Sequence, residues 1–195
     1  MQYTVFDHNI YIKEFDDLGK FEHYRNFFIT QLSNCNYSEQ RGDNIFPIRS
    51  INDLQTIIGH GFLKKEINHA IIEAGAFIYK NVKVKNFLLT QTWYNINYKN
   101  SSGVSHMHSN MDNPIKKLIC ILYLEAPENS GKLAIINDNR AGLSCTDFDQ
   151  NKVHYITVRP NMFICHSNHV NHAISKHLSD DRRLSIVFDY ILEEE

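Results

Sequence analysis

Two periodicities divide the chain. In the first part, Phe15, Leu18, Phe21, Tyr24, Phe27, Phe28 and Leu32 recur mostly at three- and four-residue steps and share one helical face. Asn34 to Asp43 is polar and reads as a loop. Ser50 or Asn52 caps a second helix through Leu54, Ile57 and Ile58, which Gly59 and Gly61 interrupt. Phe62 to Tyr79 carries Ile67, Ala70, Ile71, Ala74 and Ile78 and is the best amphipathic helix of the chain, with Gly75 a weak point near its end. Ahead of these helices, Tyr3 to Phe6 reads as a short strand.

The period changes at Val82. Phe87 to Tyr98 is rich in aromatic residues, Thr and Ile, the composition of a strand. Further strands are expected at Val104 to His108, Leu118 to Leu124, Lys132 to Ile136, Val153 to Val158, Asn161 to His166, His169 to Ile174 and Leu184 to Leu192. Turn signals separate most of them: Asn100 to Gly103, Ala126 to Gly131, Asn137 to Gly142, and Arg159 with Pro160. So dense a series of short strands predicts an all-β core, an antiparallel sandwich or small barrel over residues 82–195. Residues 1–81 are expected to form a helical elaboration packed on its outside, the whole being one integrated domain.

Composition narrows the function classes. The chain has 195 residues with 43% apolar and 22% charged, enough to build a core without cross-links. A formal net charge of -2 gives no broad positive field, so nucleic acid is not an indicated partner. Lys80, Lys83 and Lys85 make only a small basic patch. No apolar run is long enough to span a membrane, and Met1 to Ile10 lacks the basic-then-apolar order of a secretory signal. Cys35, Cys120, Cys145 and Cys165 have no close paired spacing, so a reduced, cytoplasmic protein is expected. The helical portion offers a surface for a homodimer.

Histidine placement is the informative chemistry. His106 and His108 are two residues apart, which on a strand turns both rings to one face. His172 lies in a later strand-like run, and Arg183 opens the last long strand. Two histidines at that spacing plus a remote third can hold a first-row metal, and a nearby arginine can fork onto a carboxylate. The alternative is a solvated or structural histidine group, since the chain has 11 histidines and His166, His169, His172 and His177 cluster loosely. His177, beside the polar stretch from Ser179 to Arg182, reads as exposed, Met107 and Trp93 as core, and Arg182 as a surface ion pair with Asp180 or Asp181.

The ordered combination resembles a family. Trp93-Tyr94-Asn95, His106-Met107-His108, Tyr123-Leu124, the turn Pro127-Glu128-Asn129-Ser130-Gly131-Lys132-Leu133, the distal His172 and the closing Arg183-Leu184-Ser185-Ile186-Val187-Phe188-Asp189 follow one another as in the Fe(II)- and 2-oxoglutarate-dependent oxygenases. The likeness is greatest to a little-characterised branch found in bacteria and phages, and it covers about residues 92–190. If phage-encoded, the protein would work in the host cytoplasm. Three positions depart from the common pattern. His108 stands where most relatives have Asp or Glu, Lys116-Lys117 replaces a Ser-Gly pair, and Cys165-His166-Ser167 replaces an aromatic-Pro-Ser turn.

The resemblance implies a double-stranded β-helix, a jelly-roll or cupin-like barrel. It implies Fe(II) on His106, His108 and His172, with Asp112 a reserve ligand, and 2-oxoglutarate with its distal carboxylate on Arg183. Ser185 and Tyr123 would assist that carboxylate, and Asn95 and Asn137 would orient substrate or co-substrate. The implied reaction is hydroxylation of a small molecule or a protein side chain, with release of succinate and carbon dioxide. Two other classes stand beside it: a different cupin-like metal enzyme, and a non-catalytic binding or structural protein that keeps the barrel.

Overall fold

The computed structural model describes residues 1–15, 62–80, 82–108 and 115–195, with short pieces at 22, 25–26, 30 and 45–47. The expected helix at 15–32 is described only at residue 15, which is not helical, and at 22, 25–26 and 30, which are helical; the expected helix at 54–58, the loop at 34–43 and the reserve ligand Asp112 lie outside the described residues. Eleven strands and one α-helix are described. They are β1 (Gln2–Val5), β2 (His8–Glu14), β3 (Ile45–Pro47), α1 (Phe62–Ile78), β4 (Val84–Asn97), β5 (Gly103–His106), β6 (Lys117–Glu125), β7 (Lys132–Ile136), β8 (Val153–Thr157), β9 (Met162–Ser167), β10 (Asn171–Ile174) and β11 (Arg183–Glu194).

The strands form two sheets, a seven-stranded one in the order β1-β2-β9-β6-β11-β4-β3 and a four-stranded one in the order β5-β10-β7-β8. Every pairing in them is antiparallel. Eight of the strands, β4 to β11, fall in the region where the periodicity changed. The beginning of the chain differs from expectation. Residues 2–14 are a hairpin that extends the large sheet beside β9, not part of a helical layer. Its two-residue turn has Phe6 and Asp7 at φ 47° and 68°, the left-handed pair that matches the twist of a tight hairpin.

Alternation along the central strands sorts side chains into two cores. On β6, Leu118, Cys120, Leu122 and Leu124 face α1, where they meet Ile67, Ala70, Ile71 and Ala74. The intervening Ile119, Ile121 and Tyr123 face the small sheet and pack with Leu133, Ile135 and Ile156. A strand covered on both faces loses its apolar-polar alternation, which is why β6 and β9 read as continuous hydrophobic runs. Gly75 keeps its place in α1 because a Cβ there would lie 2.7 Å from Val84 Cγ2; the glycine lets helix and β4 approach. Cys120, Cys145 and Cys165 are buried free thiols. Among the described residues no helix is long and apolar enough to cross a membrane.

Candidate metal centre

His106 ends β5, and β10 pairs with that strand so that His172 stands directly opposite His106. His108 follows two residues later, its backbone N–H donating to Asn168 O at 3.1 Å. Strand pairing therefore unites residues that are 66 positions apart. The ring centroids are 4.4 Å apart for His106 and His172, and 5.3 Å for His108 with each of the others. One nitrogen of each ring lies within 4.8 Å of the other two.

Hydrogen bonds fix which nitrogen that is. His106 Nδ1 lies 3.0 Å from Val104 O, His172 Nδ1 lies 3.1 Å from Val170 O, and His108 Nδ1 lies 3.1 Å from Asp189 Oδ2. An oxygen acceptor requires the N–H at Nδ1, so the lone pair of each neutral ring is on Nε2. His108 Nε2 is buried and has no protein partner. Burial holds the pKa of His172 well below its ordinary value, and the imidazoles of His166, His106 and His108 lower it further. Burial also lowers that of His106, with His108 adding to the effect. Neutral imidazoles with free Nε2 lone pairs are the ligand form, so the donor set fits a divalent first-row cation.

The cluster lies in a cavity of about 690 Å³ between the sheets, whose walls include Trp93, Asn95, Tyr123 and Ser185. Arg183, the first residue of β11, is fully buried. Its Nη2 donates to Asn97 Oδ1 at 2.7 Å, while Nε and Nη1 have no partner. Asn97 sits opposite Arg183 in the β11–β4 register and lines the cavity. Burial lowers the Arg183 pKa, and it pushes that of Tyr123 up to about 12, with the guanidinium acting in the opposite direction on the phenol. A buried guanidinium with two free donors and no carboxylate at ion-pair distance among the described residues suits an anion brought in from outside.

Several expected residues are elsewhere. Asn137 is exposed and does not line the cavity. His177, expected at the surface, is fully buried, with Nδ1 2.8 Å from Ser130 O and Nε2 2.7 Å from Asp181 O. It ties the turn after β6 to the approach of β11. Arg182 pairs with Glu125, Nε to Oε2 at 2.6 Å, rather than with Asp180 or Asp181; Asp180 pairs with Lys99. Trp93 is half-buried and stacks on His108 at 5.5 Å with 17° between planes, and Met107 is half-buried on the cavity wall.

Two residues escaped sequence reasoning: Asn97 holds Arg183, and Asp189 touches His108. His166, expected only as a member of the loose histidine cluster, is fully buried with its ring 4.6 Å from that of His172. Strand parity was the available signal for Asp189, which shares the inward face of β11 with Arg183 and Ser185.

No protein-family model and no curated protein matches the sequence, but solved structures do. HygX from Streptomyces hygroscopicus, with nickel and 2-oxoglutarate bound, is 13% identical with a TM-score of 0.67, over 93% of this chain and 82% of that one. An oxidoreductase of the 2OG-Fe(II) oxygenase family from Burkholderia pseudomallei is 12% identical with a TM-score of 0.61, over 87% and 78%. A Pseudomonas putida prolyl-4-hydroxylase is 12% identical with a TM-score of 0.59, over 96% and 94%. The chain therefore has the fold of the Fe(II)- and 2-oxoglutarate-dependent oxygenase superfamily.

Proposed function

We propose that this protein is an Fe(II)- and 2-oxoglutarate-dependent oxygenase that hydroxylates a small molecule or a protein side chain. The observation that carries the reading is the convergence of three imidazoles on one cavity, with a buried arginine that has two free donors held beside it by the cavity-lining Asn97. HygX binds a metal and 2-oxoglutarate within a similar fold, which supports the same pair here. In this reading the two sheets are the halves of a double-stranded β-helix.

His106, His108 and His172 would hold the metal on one side, leaving its other side to the cavity. Arg183, steadied by Asn97, would take the distal carboxylate of 2-oxoglutarate, with Ser185 and Tyr123 on the same wall. When bound, iron and 2-oxoglutarate supply the oxidising chemistry, with release of succinate and carbon dioxide. The protein's own part is to fix the imidazole tautomers, orient the co-substrate and keep the reaction behind apolar walls. Asn95, whose buried Oδ1 has no partner, is placed to orient a bound donor group.

The test is anaerobic titration of 2-oxoglutarate into protein loaded with Fe(II) and into metal-free protein. Admission of oxygen should then convert 2-oxoglutarate to succinate. Metal-dependent binding with succinate formation is the expected result. Absence of 2-oxoglutarate binding with iron present would overturn the reading and favour a binding protein on the same fold.

A further inference from the structure

The three imidazoles are anchored in two different ways. His106 and His172 each donate to a carbonyl two residues upstream, a local contact. His108 has no such local acceptor. It lies beyond the end of β5, and its Nδ1 is held by a carboxylate 81 residues away. Asp189 comes from β11, and its side chain is only 5% exposed. Its Oδ1 is buried without a partner, and no lysine or arginine among the described residues reaches it. A carboxylate so placed, with one imidazole for company, is poorly compensated by the protein alone. A divalent cation on the far nitrogen of that imidazole would compensate it.

We infer that Asp189 is a positioning residue for the metal centre. It holds His108 in the Nδ1–H tautomer with Nε2 turned towards His106 and His172. The mutually close ligand atoms are those of the three histidines, and Asp189 instead contacts the far nitrogen of one of them, Nδ1 of His108. A carboxylate behind a ligating histidine fixes its orientation and raises its basicity. The inference rests on the metal reading above, and the experiment separates the two.

Co(II) is titrated anaerobically, in competition with a chromogenic chelator, into metal-free wild type, Asp189→Asn, Asp189→Leu and His108→Ala. The melting temperature of each is recorded with and without Co(II). Asp189→Leu should weaken Co(II) by about 10- to 100-fold. Asp189→Asn should weaken it less, because an amide oxygen can still accept from Nδ1 without the charge. Metal-free Asp189→Asn should melt at or above wild type, since an uncompensated buried charge has been removed, while its rise on adding Co(II) should be smaller. Unchanged Co(II) affinity in both Asp189 variants overturns the inference. So does a lower metal-free melting temperature with an undiminished Co(II)-induced rise, which marks a purely structural residue. Wild-type affinity in His108→Ala together with loss in Asp189→Leu makes Asp189 the ligand and also overturns it. Failure of the wild type to bind Co(II) overturns the metal reading itself.

Discussion

If Arg183 holds 2-oxoglutarate as proposed, replacing it by methionine should separate binding from folding. Methionine approximates the arginine stem but carries no charge. In the folded protein the guanidinium makes one hydrogen bond, to Asn97, and leaves two donors unpaired. Exchanging such a buried charge for an apolar group of similar size is commonly neutral or stabilising, so unliganded Arg183→Met should unfold at or above the wild-type denaturant midpoint. Binding should respond in the opposite sense. Truncating one partner of a desolvated charge pair costs about 2–5 kcal/mol, which is about 30-fold to several thousand-fold in the dissociation constant of 2-oxoglutarate. The assay is calorimetric titration into iron-loaded protein, followed by thermal melts. At a ligand concentration of 100 times the dissociation constant, the wild type gains about 2.7 kcal/mol. For a chain of this length that raises Tm by about 5–11 °C, and Arg183→Met should show almost none of it at the same concentration. Arg182→Ala is the control, because its partner is Glu125. Wild-type affinity in Arg183→Met would refute the reasoning, as would loss of metal along with 2-oxoglutarate.

Other outcomes are equally direct. Burial takes the His166 pKa down to about 3 in the folded protein, below the ordinary 6.5. The unfolded chain therefore binds the extra proton between those values, and stability present above pH 6.5 is lost as pH falls, at roughly 1.4 kcal/mol per unit for this group. Urea unfolding of metal-free protein at pH 7 and pH 5 should show that loss, and His166→Leu should reduce the slope by about one proton. Gly131→Ala should destabilise by about 1–3 kcal/mol, because Gly131 has φ +80° and a Cβ there would lie 2.5 Å from Ser175 O; a thermal melt reads it. Ile71→Ala, in the layer between α1 and the large sheet, should cost about 2–5 kcal/mol in chemical denaturation while leaving Co(II) affinity unchanged.

The strands of the second half were legible because turn residues separate them and each bears the composition of a pleated, buried surface. Lys132 to Ile136 was bounded to the residue, and Leu184 to Leu192 fell inside β11. The clustering of His106 and His108 was legible from their close spacing, although β5 ends at His106 and His108 lies beyond it. The misses have physical causes. The hairpin of residues 2–14 closes through a Phe-Asp turn without the usual Asn or Gly signal. Near Thr90 the β4 pairing shifts register, so Tyr94 and Ile96 face α1 on one side of the shift and Phe87 and Leu89 on the other. Such a change of parity has no local pattern. His177 sits among polar neighbours in sequence, yet both ring nitrogens are taken by carbonyls in space. Asp189 and Asn97 acquire meaning only from partners more than 80 residues away.

The strand β11 also constrains how this protein can change over generations. Its inward face carries Ser185 and Asp189, which line the cavity, with Arg183 at the same parity, and its outward face presents Leu184, Ile186 and Phe188 to the helix-covered core. Asp189 is six positions after Arg183, a span of about 20 Å at roughly 3.3 Å per residue. Loss or gain of a single codon between them would do more than alter that span. Everything on one side of the change would swap faces, turning Phe188 towards the histidines or Asp189 towards α1. Point substitution is therefore tolerable along β11 where insertion and deletion are not. Length variation is better absorbed by the connections at residues 98–102 and 137–142, which lie outside the strands and leave the spacing of Arg183 and Asp189 unchanged.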